Sequence, residues 1–138
     1  MTRPHDPATA EPDLAAMERA LRSWSSATGG WASLHAAAAI VLVITGGLTD
    51  VTTIGRRVSV LLVVGAWTTT AIASWLFRRS FRPRIGFIAA TASIVAGATM
   101  AAIARGHIAA TADGIAHLAA GIGMAVALRQ ARPFLYVA

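Results

Sequence analysis

The chain has 138 residues, of which 56% are hydrophobic and only 13% are charged, and its mean hydropathy is +0.62. Because a soluble domain carries about 25% charged residues, this composition excludes a surface that is mainly exposed to water. The absence of cysteine excludes disulfides, thiolate metal sites, iron–sulfur clusters and thiol nucleophiles.

The net charge of +6 comes from arginines, which supply all twelve cationic residues. Most of them lie beside long apolar runs: Arg56, Arg57, Arg78, Arg79, Arg82, Arg84, Arg105, Arg129 and Arg132. This arrangement is typical of topology signals and of contacts with phospholipid headgroups. No basic stretch carries interleaved stacking aromatics, so we expect the lipid bilayer and not a nucleic acid as a partner.

The N-terminal region, residues 1–29, is richer in acidic residues and proline than the rest of the chain. Leu14, Met17, Leu21 and Trp24 fall on one helical face, which predicts a short amphipathic helix in the membrane interface behind a cytoplasmic tail. The alternative is a polar segment that packs against nothing. Residues 30–138 form the predicted transmembrane domain.

Four apolar runs follow, and each is long enough to cross a hydrocarbon core of about 30 Å as an α-helix. We place the spans at about Trp31–Leu48, Val58–Phe77, Ile85–Ala104 and Ile108–Leu128. Because a backbone in lipid must satisfy its own hydrogen bonds, the predicted fold is all-α, an integral membrane four-helix bundle. The positive-inside rule, applied to these Arg-rich loops, predicts that both termini are cytoplasmic.

Small residues recur four apart in the last two spans, where close van der Waals contact drives helix packing. These stripes are Ser93, Gly97 and Ala101, and then Ala119, Gly123 and Ala127, with Gly121 beside the second. We predict that they pack helices within one chain or between copies, although an alanine-rich sequence also produces such patterns without packing. The four Trp residues are interpreted as interface anchors or lipid-facing bulk.

Three ionisable residues are functional candidates because a charge in hydrocarbon is costly: His35, Asp113 and His117. Asp113 and His117 are four apart on one helix face. We predict an acid–base pair in which Asp113 orients the ring and His117 exchanges the proton. Polar residues that could line the same cavity or lie just outside it are Thr68, Thr69, Thr70, Thr99, Arg105 and His107.

A second interpretation starts the fourth span at Gly114, which makes Asp113 the N-cap of the helix at the membrane boundary. His117 is then a single polar residue that hydrogen-bonds a threonine or a carbonyl across the bundle. The sequence contains no metal-ligand spacing and no phosphate-binding loop, so we predict no metal site.

The segment SLHAAAAIVLVITGG resembles the first helix of bacterial b-type cytochrome membrane subunits, in which a His precedes an apolar run that ends in Thr-Gly. That resemblance implies haem ligation by His35, with Thr45-Gly46 as the matching pair. The predicted spans put His35 about 6 Å and His117 about 16 Å from the cytoplasmic boundary. Since two axial ligands of one haem need similar depth, we expect no cofactor.

A basic turn, RRSFRPR, precedes the third span, and AHLAAGIGMAVALR puts a His followed by small residues in the last. In these features the chain resembles small four-helix bacterial membrane proteins of unknown function over nearly its whole length. The resemblance implies the fold and a place in the bacterial cytoplasmic (inner) membrane, and it implies no activity.

Three functions are open. The first is a non-catalytic accessory or interaction subunit that docks on a membrane protein partner or forms a homo-oligomer, because little of the chain lies outside the membrane. The second is a membrane-embedded enzyme, an isomerase or cyclase, which acts on a lipophilic substrate through Asp113 and His117. The third is a proton or small-solute carrier that uses the same two residues as a relay.

Overall fold

The computed structural model describes residues 13–45 and 54–136. These residues form four helices, α1 (Leu14–Ile44), α2 (Ile54–Ser80), α3 (Pro83–Ile103) and α4 (Ile108–Leu135), and no strand occurs in these ranges. The prediction of an all-α four-helix bundle is confirmed. Each helix is long and apolar enough to cross a membrane, judged by length and composition, as expected of a multi-pass membrane protein.

The amphipathic segment is the first part of α1 and not a helix of its own. Asp13 caps the helix, because its side chain accepts a hydrogen bond from the N–H of Ala16 at 3.0 Å. The helix then continues through Gly29, where an added Cβ would lie 2.8 Å from the Cβ of Ser74 in α2. The boundary predicted between residues 29 and 30 therefore falls inside α1, at the point where α1 packs closely on α2. The tail, residues 1–12, lies outside the described residues.

The connections between the last three helices are short. Phe81 and Arg82 alone separate α2 from α3, which begins with Pro83, a residue whose fixed φ suits the first helical position. The other arginines assigned to loops lie in helices or at their ends: Arg56, Arg57, Arg78, Arg79 and Arg84. The prediction of Arg-rich loops is therefore not supported. Residues 46–53, which include the predicted end of the first span, lie outside the described residues.

The buried residues of α4 are spaced alternately three and four apart, the pattern of helices that pack side by side. They are Gly114, His117, Gly121, Met124, Leu128 and Ala131. Each helix contacts the next in the chain, and α1 also contacts α4 and α3. Buried apolar side chains, such as Phe77 and Leu128, form the core at the arginine-rich end of the bundle.

The closest helix contact joins α3 to α4 at two glycines. A Cβ on Gly97 would lie 2.6 Å from the carbonyl oxygen of Gly114. The α3 stripe packs on α4 within the chain, and so does Gly121 of α4 on α3, whereas Ala119 is exposed and a Cβ on Gly123 would meet nothing within 4 Å. Residues four apart drift by about 40° per step around the helix, so the longer seam of α4 follows the alternating spacing of Gly114, His117 and Gly121.

Gly97→Ala should destabilise the bundle by roughly 1–3 kcal/mol, because the added methyl group would meet backbone atoms that have no room to move aside. Gly123→Ala is the matched control and should be neutral or slightly stabilising, since alanine favours a helix more than glycine does. Thermal unfolding of both variants in one detergent, followed by circular dichroism, makes the comparison. Equal melting temperatures for Gly97→Ala and the wild type would contradict the close α3–α4 contact.

Candidate functional site

Four side chains meet inside the bundle where α1, α2 and α4 come together: His35, Trp67, Asp113 and His117. We call them the polar cluster. His117 and Trp67 are each only 5% exposed. The side chains of His35 and Asp113 are 21% and 25% exposed. The cluster is therefore enclosed at His117 and Trp67 and partly accessible at His35 and Asp113.

Asp113 lies in the second turn of α4 and does not cap the helix. The helix begins at Ile108 with His107 as its N-cap residue, so the interpretation that starts the helix at Gly114 is wrong. The additional turn is held at its start by Thr111, whose hydroxyl donates a hydrogen bond to the carbonyl oxygen of Ala104 at 3.0 Å. This turn brings the carboxylate of Asp113 to α1.

The nearest ionisable partner of Asp113 is His35 of α1, and not His117 of its own helix. The Nε2 atom of His35 lies 2.8 Å from Oδ2 of Asp113. The Nδ1 atom of His117 lies 3.7 Å from Oδ1 of Asp113, which is beyond hydrogen-bonding distance. The predicted neighbours on α4 are thus brought close, but the hydrogen-bonded contact joins two helices that are distant in the sequence.

The hydrogen bonds of His35 determine how many protons the pair holds. Its Nδ1 lies 2.7 Å from the backbone carbonyl oxygen of Trp31. A carbonyl only accepts, so Nδ1 must carry a hydrogen. The bond between Nε2 and Asp113 then needs one further proton, either on the imidazole or on the carboxyl group. One proton between the two groups thus satisfies this hydrogen bond, and the pair has no net charge whichever group carries that proton.

Aromatic rings surround the imidazole of His35. The ring centroids of Trp67 and Trp31 lie 4.6 Å and 5.7 Å from that of His35. The burial of Trp67 corrects its interpretation as an interface anchor or lipid-facing residue, since it belongs to the core with Ala32 and Val63.

His117 is a second proton acceptor beside the pair. Its Nδ1 lies 3.0 Å from the backbone carbonyl oxygen of Asp113 and donates to it, so Nε2 is an acceptor when the ring is neutral. This Nε2 is buried and has no hydrogen-bond partner, and the same is true of Nε1 of Trp67, which is a donor. The ring centroids of His35 and His117 are 5.0 Å apart. An unused acceptor and an unused donor in one cluster suit a bound water molecule.

The other predicted site residues do not join the cluster. The hydroxyls of Thr68, Thr69 and Thr70 each donate to the carbonyl four residues earlier in α2, at 2.9, 2.8 and 2.8 Å. Thr99 is half-buried in α3, and no hydrogen bond links it to the cluster in the described part of the chain. Arg105 and His107 are exposed at the turn between α3 and α4.

The two histidines lie at the same level, so the depth argument against haem is wrong. That argument started the first span at Trp31, whereas α1 starts at Leu14 and its Ser25 hydroxyl reaches the carbonyl oxygen of Ser74 in α2, at 2.9 Å. The rings nevertheless meet edge to face, and Nε2 of His35 is bonded to Asp113. Two imidazoles that bind one haem iron must both point a free nitrogen at it. We therefore still expect no haem, on this different ground.

Among the described residues, no group of three or more His, Asp or Glu side chains is arranged to hold a metal ion. Comparisons with protein-family models, with curated proteins and with solved structures found no match for this chain. The resemblance to small four-helix bacterial membrane proteins therefore stays a prediction, and the argument about function depends on the site itself.

Removal of His35 and Asp113, singly and together, should give a coupling free energy of about 1–2 kcal/mol, because the pair exchanges a charge-assisted hydrogen bond inside the bundle. The variants are His35→Ala, Asp113→Ala and the double variant, and unfolding by SDS in bicelles measures their stability. For comparison, a second cycle uses Asp113→Ala, His117→Ala and the double variant of these two residues. A larger coupling for Asp113 and His117 than for Asp113 and His35 would refute the assignment of partners.

Proposed function

We propose that the chain is a proton carrier of the membrane, in which the polar cluster binds and transfers protons. The observation that carries this proposal is the 2.8 Å contact between Nε2 of His35 in α1 and Oδ2 of Asp113 in α4. A carboxylate and an imidazole at this distance can exchange a proton without a change in net charge. The sequence alone ranks the accessory role first, and this contact changes that order.

Buried hydroxyls support a path from the cluster towards the arginine-rich end. Thr70 is three residues beyond Trp67 in α2, and Ser74 is one further turn along. Thr28 and Ser25 are buried in α1, and Ser25 hydrogen-bonds to the backbone of Ser74. The hydroxyls of Thr70 and Ser25 donate to backbone carbonyls and can accept a further hydrogen bond, whereas that of Ser74 has no partner among the described residues. Towards the other end, the partly exposed Asp113 lies only about 8 Å along α4 from Ile108.

The proposal includes a location and an orientation. Eight arginines of the described residues belong to one end of the bundle: Arg19, Arg22, Arg78, Arg79, Arg82, Arg84, Arg129 and Arg132. The opposite end has Arg56, Arg57 and Arg105. By the positive-inside rule, we propose that the chain lies in the bacterial inner membrane with the arginine-rich end and both termini in the cytoplasm. No observation favours the isomerase or cyclase.

Purified protein in liposomes should dissipate an imposed pH gradient, and Asp113→Asn should slow this dissipation by about tenfold or more, because the variant lacks the group that shares the proton. His35→Gln should have a similar effect. Asp13→Asn and His107→Gln are matched controls outside the cluster and should behave like the wild type. A pH-sensitive dye inside the liposomes reports the rate. Wild-type protein that leaves the gradient intact would exclude the carrier function.

The accessory subunit is a second candidate because the end of α1 projects from the bundle. From residue 37 onwards α1 has no buried residue, and Ile40, Val41, Leu42, Val43 and Ile44 are all exposed. An isolated apolar segment of this kind is covered either by lipid or by a helix of another chain. In a complex with another protein, helices of the partner could pack on any side of this segment.

A photo-reactive residue in place of Leu42 should form adducts with a protein in native membranes if the chain is an accessory subunit. The matched control is the same substitution at Ile122, which is exposed on α4 and should react with lipid alone. Mass spectrometry identifies the adducts and separates a different partner from a second copy of the chain. Lipid adducts alone at both positions would exclude the accessory role.

A further inference from the structure

A groove between α1 and α2 runs along the bundle from its arginine-rich end. Its upper part is a cavity of about 520 Å³ lined by Arg22, Ser23, Ser26, Trp75, Arg78 and Arg79. A second cavity of about 500 Å³ shares Ser26, Trp75 and Arg78 with the first and continues past Gly29 and Gly30 to Ala71. From Arg78 to Ala71 the groove extends about 10 Å along α2.

In the upper part of the groove, no described carboxylate neutralises the positive charges of Arg78 and Arg79. Glu18 pairs with Arg22, whose guanidinium also donates to the carbonyl oxygen of Arg78 at 2.7 Å. Arg78 makes one long contact, at 3.4 Å, with the hydroxyl of Ser26. Arg79 lies over the ring of Trp75, 4.3 Å from its centroid. Two guanidinium groups and the serine hydroxyls can therefore donate hydrogen bonds to an anion.

The lower part of the groove has apolar walls and a polar atom without a partner. Gly30 leaves the groove open, since a Cβ there would meet nothing within 4 Å. Ile72 and Trp75 supply apolar surface on the α2 side. Behind this wall lies Ser74, whose buried hydroxyl has no hydrogen-bond partner among the described residues. The groove thus combines an anion-binding end with a hydrocarbon-lined channel.

We infer that this groove binds one anionic phospholipid, with the phosphate on Arg78 and Arg79 and the start of an acyl chain beside Gly30. Basic pockets between membrane helices suit anionic headgroups, and a tryptophan at the same level suits the membrane interface. The inference needs only that the helices span a bilayer, and it is independent of proton transfer.

Intact-complex mass spectrometry of detergent-purified protein tests the site, with equal amounts of phosphatidylglycerol and phosphatidylcholine added. The wild type should retain one phosphatidylglycerol in preference to phosphatidylcholine. Arg78→Gln should weaken phosphatidylglycerol binding about fivefold, whereas Arg84→Gln, which removes an exposed arginine outside the groove, should not. An equal loss in both variants would mean that the charge of this end acts diffusely, and it would overturn the site.

Two further arms identify the ligand. Gly30→Leu should fill the groove and weaken phosphatidylglycerol binding, whereas Gly123→Leu, at a second helical glycine with open space, should leave it unchanged. Both variants keep the positive charge and should fold. Undiminished binding in Gly30→Leu would show that no acyl chain enters the groove. Displacement of the lipid by inorganic phosphate at equal concentration would show that the site takes a free anion, and it would also overturn the inference.

Discussion

The cost of a charge inside an apolar bundle is the constraint on which the arrangement of the helices depends. A carboxylate that faces hydrocarbon must find a partner or a proton, and Asp113 finds both in His35. His35 lies on the first helix and Asp113 on the last, so this contact joins the two helices that are furthest apart in the sequence. It also sets the register of α1, because His35 must reach the level of Asp113. The continuous helix from Leu14 is compatible with that register, whereas a span beginning at Trp31 is not.

Close packing of α3 on α4 prepares the site in a second way. Gly97 and Gly114 let the two backbones approach, and the hydroxyl of Ser93 donates to the carbonyl oxygen of His117 at 2.9 Å. This bond holds the backbone of α4 at the level of the cluster. Glycine is needed here for space and not for an unusual backbone angle. The α3–α4 contact thus holds Asp113 and His117 at the level at which His35 of α1 meets them.

The cluster differs from the acid–base pair that the sequence suggests in a way that matters for function. Two neighbours on one helix can act on a substrate only where a cavity reaches them. The cavities along the α1–α2 groove lie at the arginine-rich end, beside Ser26 and Arg78, and not at Asp113. A proton needs no such cavity. The proposal of proton transfer rests on the cluster itself, in which a histidine, a carboxylate and a second histidine lie together, with a buried nitrogen of His117 and one of Trp67 that have no hydrogen-bond partner among the described residues.

The sequence by itself determined the class of fold and the presence of four long apolar helices, although it divided α1 in two. Runs of about 20 apolar residues leave few alternatives, because a backbone in hydrocarbon must bond to itself. It also singled out Asp113, His117 and His35, since ionisable residues in such runs are rare. Only the tertiary structure decided which of these residues touch. Helical periodicity relates residues within one helix, so it predicted the approach of Asp113 and His117. It carries no information on the register between α1 and α4, which depends on contacts between helices such as that of His35 with Asp113. For the same reason the burial of Trp67 and the partner of Asp113 could not be read from spacing.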